Sequence, residues 1–386
     1  MPRLSEELQW RGLIHQVTDD HLLKLLDQPE PLTAYIGFDP TADSLHVGNL
    51  LQLCNLRRLQ EAGHRPIALA GGGTGMIGDP GGKSEERNLL TAEQLQHNLH
   101  AIRGQLERFI DLGDSKALLL DNGTWLWDLR LLDFLRDIGK HFTVNQMVAK
   151  DSVKSRFEGR EQGISYTEFS YMLLQAYDFL QLFDAHGCRL QLGGSDQWGN
   201  ITMGVDLIRR LRSEAAYGLT SPLVLKADGT KFGKSEAGTV WLDPDKTSPY
   251  RFFQFFINSE DAVVGAYLRY FTWLPREEIE GLDRSTAEHP ERREAQRALA
   301  RAVTALVHGE EEARRAEAAA GALFTGDLAG LDERTLLEVF AEAPSVDVRR
   351  EPVSLVDALV LAGLASSKSD GRRAVEQGAV AVNGDK

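Results

Sequence analysis

Residues 33–73 read TAYIGFDPTADSLHVGNLLQLCNLRRLQEAGHRPIALAGGG, and their pattern decides the fold class. An apolar run, TAYIGFD, is followed by a helix-period stretch, SLHVGNLLQLCNLRRLQEAG, and then by a second apolar run, RPIALAGG. Strand, helix and strand in that order form a βαβ unit, whose strands lie parallel because the helix carries the chain back along the sheet. Val47, Leu50, Leu51 and Cys54 fit the i, i+3, i+4, i+7 spacing of one apolar face, and Gly63 stands where a left-handed cap ends a helix. Asp43 or Ser44 suffices to cap the start. A histidine, a glycine and an asparagine in the expected first turn therefore ask for another reason, and His46 and Asn49, three apart, share a face.

Further along, Ser165-x-x-Glu168 has the form of a capping box, opening a helix through YTEFSYMLLQAYDFLQLFDAHG that feeds a short strand, CRLQLGG. Residues 125–162 carry helical patterns, expected as an insertion between the halves of a doubly wound domain and, through their apolar parts, as a homodimer surface. The expected fold is α/β: a Rossmann-like doubly wound parallel sheet over 1–247, with that insertion. After Pro249 the pattern turns helical without a clear strand, placing a helical domain at 248–322. A linker follows at 323–352, and 353–386 reads helix, turn, helix, strand, a small α+β module.

Length and composition bound the function. A chain of 386 residues is too long for one ordinary core. With 42% hydrophobic and 26% charged residues it has the make-up of a folded soluble protein. No run approaches the ~18 apolar residues a membrane span needs, and the N-terminus lacks a signal-peptide core, so the cytoplasm is the expected address and no membrane partner is expected. The two cysteines, Cys54 and Cys188, are far apart and suggest neither a disulfide framework nor a thiolate metal site. A formal charge of -14 argues against binding nucleic acid by the whole surface but allows local basic patches.

Two glycine-rich stretches resemble phosphate loops and fail in detail. Gly73-x-Gly75-x-x-Gly78 matches a dinucleotide fingerprint, but Asp79-Pro80-Gly81-Gly82 breaks the helix that pyrophosphate would need. Gly82-Lys83-Ser84 and Gly233-Lys234-Ser235 end like P-loops, yet only three residues separate Gly78 from Gly82 and Gly229 from Gly233, where four are required. A flexible loop and a hairpin turn are the alternatives. In the helix after Ser165, Phe169, Met172, Leu173, Ala176, Leu180 and Phe183 form the apolar stripe, whereas Tyr171, Gln175 and Asp178 form a second one. A phenol, an amide and a single carboxylate suit a small polar ligand better than they suit bulk solvent. LGGSDQWGN places Gly193, Gly194, Ser195 and Asp196 at the carboxyl end of a strand, where open α/β sheets bind ligands; Asp196 there can accept from a ribose diol or cap a helix.

Taken together, HVGN after a first strand, the Tyr-Gln-Asp stripe, GGSDQWGN and KFGKS resemble the bacterial tyrosyl-tRNA synthetases of the class I fold over nearly the whole chain. HVGN looks like a variant of the HIGH signature and KFGKS, residues 231–235, like the KMSKS loop. The resemblance implies that tyrosine and ATP form tyrosyl-adenylate and pyrophosphate, and that the tyrosyl group then moves to the terminal ribose of tRNA(Tyr). It implies ATP as substrate with Mg2+ on its phosphates, no metal or prosthetic group held by the protein, a homodimer, and no DNA partner. By the family pattern Thr41, His46, Asn49, Lys231 and Lys234 serve catalysis. Tyr35 and Asp178 take the phenol hydroxyl, Asp79, Tyr171 and Gln175 the ammonium, and Lys83 and Gln197 lie near the carboxylate. Gly37, Asp39, His46, Gly48, Gly193, Asp196 and Lys234 face the nucleotide.

The last module resembles the family's RNA-binding domain, with Lys368, Arg372 and Arg373 able to face phosphates. The sequence ends at Lys386 after one strand of that module, which implies a truncated form. Other expected tRNA contacts are Lys150, Lys154, Arg156, Arg160, Arg209, Arg210 and Arg212, whose alternative is a solvated face. Two rivals share the chemistry, a class I synthetase for tryptophan and a nucleotidyltransferase with an HxGH-type helix; Tyr35 with Asp178 disfavours both. A third is a synthetase-like RNA-binding protein without catalysis, disfavoured by the retention of His46, Lys231 and Lys234.

Overall fold

The computed structural model of the chain describes residues 3–79, 90–150, 153–154, 164–230, 232–235, 238–325, 333–340 and 352–382. These fall into two compact units, residues 1–243 with 260–283, and 244–259 with 284–386.

The first unit is built on a six-stranded sheet of β1 (Gln16–Val17), β2 (Thr33–Phe38), β3 (Arg65–Ala70), β4 (Leu118–Asp121), β5 (Cys188–Gly194) and β6 (Tyr217–Ser221), in the order β1-β6-β5-β2-β3-β4. β2 is central, parallel to β3 in register Tyr35↔Ile67 and to β5 in register Tyr35↔Gln191. β4 and β6 extend the parallel sheet outward, and β1 closes the β6 edge antiparallel. The winding direction reverses between β2 and β5, so a crevice opens at their carboxyl ends, the place where doubly wound sheets bind ligands.

The βαβ unit forms as its pattern requires. The helix Val47–Glu61 buries Val47, Leu50, Leu51 and Cys54 against the sheet, and Gly63 takes φ +90° just past its end. Its start differs from expectation. His46 is the cap, not Ser44 or Asp43: the Gly48 N–H donates to His46 Nδ1 (3.0 Å), and the His46 N–H donates to Asn49 Oδ1 (3.1 Å). Ser44 is instead buried, its hydroxyl donating to Leu45 O and accepting from Gln105 Nε2.

Ser165 accepts from the Glu168 N–H at the start of the helix Tyr166–His186, and Gly187 ends it at φ +63°. That helix and Trp198–Arg212 bury Met172, Ala176, Phe179, Met203 and Leu207 beneath the sheet. The expected insertion, 125–162, starts within the short helix Gly123–Leu126 and contains the helices Leu131–Asp137 and Val144–Val148. The last two residues of KFGKS, Lys234–Ser235, pair antiparallel with Gly238–Thr239.

The helix Asp261–Phe271 belongs to this unit, although its sequence pattern places it within the helical segment 248–322. The carbonyls at a helix end lack intrahelical donors. Here two buried guanidiniums from the sheet unit supply them. Arg11 donates to Arg269 O, Thr272 O and Leu274 O, and Arg58 to Tyr270 O and Thr272 O. Burial pulls the Arg58 pKa down to about 10, so the group keeps its charge at neutral pH.

The second unit packs the helices Pro249–Ile257, Glu294–His308 and Glu310–Thr325 around Phe252, Phe253, Phe256, Leu299 and Val303. The stretch expected as a linker contains the helix Glu333–Val339, and Glu310–Thr325 runs into it. In the last module Ser354 and Ser367 cap the short helices Leu355–Leu361 and Lys368–Glu376. Residues 383–386, at the end of the strand expected there, lie outside the described residues.

Candidate active site

A cavity of about 370 Å³ occupies the crevice at the carboxyl ends of β2 and β5, within the size range of small-molecule sites. Its wall takes Tyr35 and Gly37 from β2, His46, Gly48 and Asn49 from the capped helix start, Tyr171, Gln175 and Asp178 from one stripe of Tyr166–His186, and Gly193 from β5. Residues scattered over most of the first unit's sequence therefore meet because the sheet order brings their strand ends together.

One pole of the cavity is buried and apolar around two oxygen-bearing groups. Tyr35 is 1% exposed, its ring packs on Phe179 at 5.3 Å, and its hydroxyl has no hydrogen-bond partner among the described residues. Asp178, 2% exposed, receives a bond from Asn122 Nδ2 on Oδ2 (2.8 Å) and from Trp125 Nε1 on Oδ1 (2.7 Å). Desolvation pushes its pKa up to about 7 against the pull of these two donors, with Asp39 and Asp121 adding to the rise. Burial also holds both tyrosine phenols, Tyr35 and Tyr171, well above their ordinary value.

Between the poles, carboxylates are fixed by neutral donors. The Tyr171 hydroxyl donates to Asp39 Oδ2 (2.8 Å) and the Thr74 hydroxyl to Asp39 Oδ1 (2.7 Å), while Asn122 ties Thr74 to Asp178 (2.9 Å to Thr74 Oγ1). Gln197 Nε2 donates to Asp79 Oδ2 (2.5 Å), while Gln197 Oε1 accepts from Gln175 Nε2 (3.2 Å); Asn200 orients both amides by donating to their oxygens. The network presents carboxylate and amide oxygens to the cavity, a set suited to an ammonium group.

The opposite pole is made of backbone. With Nδ1 of His46 accepting from Gly48, the proton of the neutral ring sits on Nε2. The helix N-terminus beside it carries positive partial charge and favours anions. Gly48 lies so close that a Cβ there would stand 2.6 Å from His46 Cε1, and Gly233 packs against it, 3.3 Å from a built Cβ to Gly48 N. A Cβ on Gly37 would meet nothing within 4 Å, since it would point into the cavity.

Of the residues expected at the site, Thr41, His46, Asn49, Tyr35, Asp79, Tyr171, Gln175, Asp178, Gln197, Gly37, Asp39, Gly48, Gly193 and Asp196 all line this one cavity. Lys83 and Lys231 lie outside the described residues, and Lys234 is described only by its backbone, paired with Thr239. Several polar groups escaped the sequence reading, among them Thr74, Asn122, Trp125 and Asn200. Asn122 directly follows the apolar strand β4, a position at a strand's carboxyl end that was available as a signal. The dinucleotide fingerprint forms only a short 3-10 turn, Thr74–Met76, with no α-helix opening in it.

Four of the basic residues expected to face RNA are held in ion pairs: Arg209 with Asp206, Arg212 with Asp184, Lys368 with Asp357 and Arg373 with Asp370. Arg210 donates to His141 O, and Lys150 to Thr202 Oγ1. Arg156 and Arg160 lie outside the described residues.

Residues 27–325 match the family model of class I tRNA synthetases for tryptophan and tyrosine, and 335–386 match the SYY-like C-terminal domain of tyrosine–tRNA ligases. The chain is 58% identical to the tyrosine–tRNA ligase of Roseiflexus castenholzii and 54% identical to that of Bacillus caldotenax, each over 99% of this chain and 91% of the relative. Among solved structures, a C-terminally truncated mitochondrial tyrosyl-tRNA synthetase from Aspergillus nidulans superposes with a TM-score of 0.75 at 32% identity, covering 84% of this chain and 95% of that one.

Proposed function

The chain belongs to the class I tRNA synthetases for tryptophan and tyrosine, and within them to the tyrosine–tRNA ligases, and from that premise we propose how its cavity divides the work. The enzyme activates tyrosine with ATP to tyrosyl-adenylate and pyrophosphate, then transfers the tyrosyl group to the 3′-terminal adenosine of tRNA(Tyr). The tryptophan reading is set aside, because relatives more than half identical over nearly the whole chain are tyrosine–tRNA ligases.

The observation that carries the reading is the buried pole. A phenol placed there accepts from the unpartnered Tyr35 hydroxyl and donates to Asp178, whose position Asn122 and Trp125 hold. Phenylalanine in the same place leaves the Tyr35 hydroxyl unsatisfied and gives Asp178 no bond beyond those from Asn122 and Trp125. Asp79, Tyr171 and Gln175 take the ammonium, and Lys83 and Gln197 stand near the carboxylate.

That carboxylate then attacks the α-phosphate in line, so the protein's task is to position the reactants and stabilise charge as pyrophosphate leaves. Thr41 and His46 serve the departing phosphates, with Lys231 and Lys234 of KFGKS as the cations that act on them. Gly37, Gly48 and Gly193 let the nucleotide approach the backbone closely, with Asp39 and Asp196 beside it. Asn49 supplies an amide where the signature has its second histidine. Mg2+ would come with the ATP phosphates and supply neutralising charge there; Asp39 and Asp79 already hold hydrogen bonds from Tyr171, Thr74 and Gln197.

The exposed apolar side chains Leu131, Leu132, Val144 and Trp127, on or beside the inserted helices, support a homodimer through that region. No described helix is long and apolar enough to cross a membrane, and the cytoplasm is the proposed location. The C-terminal module contributes to tRNA binding through Lys368, Arg372 and Arg373.

Exchange of labelled pyrophosphate into ATP, screened over all twenty amino acids, tests the activity. Exchange that depends on tyrosine alone is expected, and its absence, or exchange driven by tryptophan, would refute the reading.

A further inference from the structure

The segment that follows the KFGKS hairpin is stitched to the HVGN turn. The Val47 N–H donates to Val240 O (3.0 Å) and the Leu242 N–H to Leu45 O (2.9 Å), leaving His46 and Trp241 facing each other as a bridge pair. Their rings meet edge to face, centroids 6.1 Å apart at 68°. The same segment is anchored on its other side. The Val240 N–H donates to Gly233 O (3.0 Å), and Phe232 is seated between Tyr267 (4.9 Å) and Phe271 (5.6 Å), with the Tyr267 hydroxyl donating to Leu225 O (2.7 Å). Trp241 thus stands on a fixed backbone rather than on the free part of a loop.

We propose that Trp241 is a positioning residue for the activation step: it holds the His46 imidazole in the one orientation that turns Nε2 toward the departing phosphates. The cap bond to Nδ1 restrains one edge of the ring. The indole adds a second restraint of another kind, an aromatic contact that acts on the plane of the ring. A catalytic donor must sit within hydrogen-bond reach of where charge develops, and small displacements are costly there, so the second restraint acts on rate. The inference rests on the reading of His46 as a phosphate ligand.

The test is a double-mutant cycle between Trp241→Leu and His46→Asn, read as the rate of tyrosyl-adenylate formation in single turnover together with the dissociation constant for tyrosine. Asparagine keeps a good helix cap at position 46 while removing the imidazole. Trp241→Leu is expected to slow adenylate formation about tenfold, a coupling typical of side chains in contact, with tyrosine affinity within about twofold. Trp241→Phe, which keeps an aromatic contact, should recover most of the rate, and in the His46→Asn background Trp241→Leu should change little more. A full tenfold loss in that background, a loss confined to tyrosine affinity, or an unchanged rate in Trp241→Leu would each overturn the proposal. Should Trp241→Leu fail to fold, Trp241→Phe and Trp241→His in the same cycle carry the comparison. An unchanged rate in His46→Asn alone would instead strike the reading of His46 on which the proposal rests.

Discussion

The two poles of the cavity are built in opposite ways. At the phenol pole, Tyr35 and Asp178 are buried side chains on a strand and a helix, and neighbours up to 56 residues away hold Asp178 by hydrogen bonds. At the other pole the lining is glycine, a helix end and a histidine that caps it, with Gly233 packed against Gly48. Under the proposed function the first design serves a small neutral hydroxyl, for which preformed and desolvated partners give discrimination. The second serves a large anion, which needs backbone donors and room. Binding specificity and rate should therefore separate on mutation.

The largest expected break falls on the phosphate pole. His46→Asn, or Lys234→Ala, should slow adenylate formation by about 10²–10³-fold, the usual cost of losing a contact to developing charge, while tyrosine affinity stays within a few-fold. Single-turnover kinetics with separate titration of tyrosine checks both halves.

Next comes the pH dependence of stability. The Asp178 pKa of about 7 in the fold lies above its ordinary value of 3.8, so the folded state holds the proton more tightly. Stability from this group is complete below about pH 4 and is lost as pH rises to about 7, a change of between about 2 and 4 kcal/mol. Urea unfolding of the ligand-free enzyme across that window should show a slope that flattens in Asp178→Asn.

Asp178→Asn should also weaken tyrosine binding by about 10–100-fold, the range for a hydrogen bond to a charged acceptor, and narrow the preference for tyrosine over phenylalanine. The known preference of tyrosyl-tRNA synthetases, about 10⁵, is itself the reference case for such hydroxyl-dependent discrimination and is not obtained from this structure. The smallest effect is expected for Asn49→His. An imidazole at that position can still accept from the His46 N–H, so the cap survives and the rate of adenylate formation should change less than about threefold.

Much of this was legible in the sequence because it is local. The βαβ unit follows from periodicity, and Tyr171, Gln175 and Asp178 share a helix face by spacing alone. The cap at His46 was not read, since Ser44 and Asp43 are better caps by type; Ser44 is drawn into a buried bond with Gln105, 61 residues away. Asn122 and Trp125 escaped for a related reason, as each reaches Asp178 only after β4 is set beside β3 in the sheet. The helix Asp261–Phe271 looked like part of the helical segment because its assignment depends on Arg11 and Arg58, two remote charges that periodicity does not register.

The most direct test of the two-pole account is to measure tyrosine affinity and the rate of adenylate formation side by side in His46→Asn and Asp178→Asn. The account predicts that His46→Asn loses rate and keeps affinity, whereas Asp178→Asn loses affinity far more than rate. The reverse pattern, or equal losses of both quantities in both variants, would contradict it.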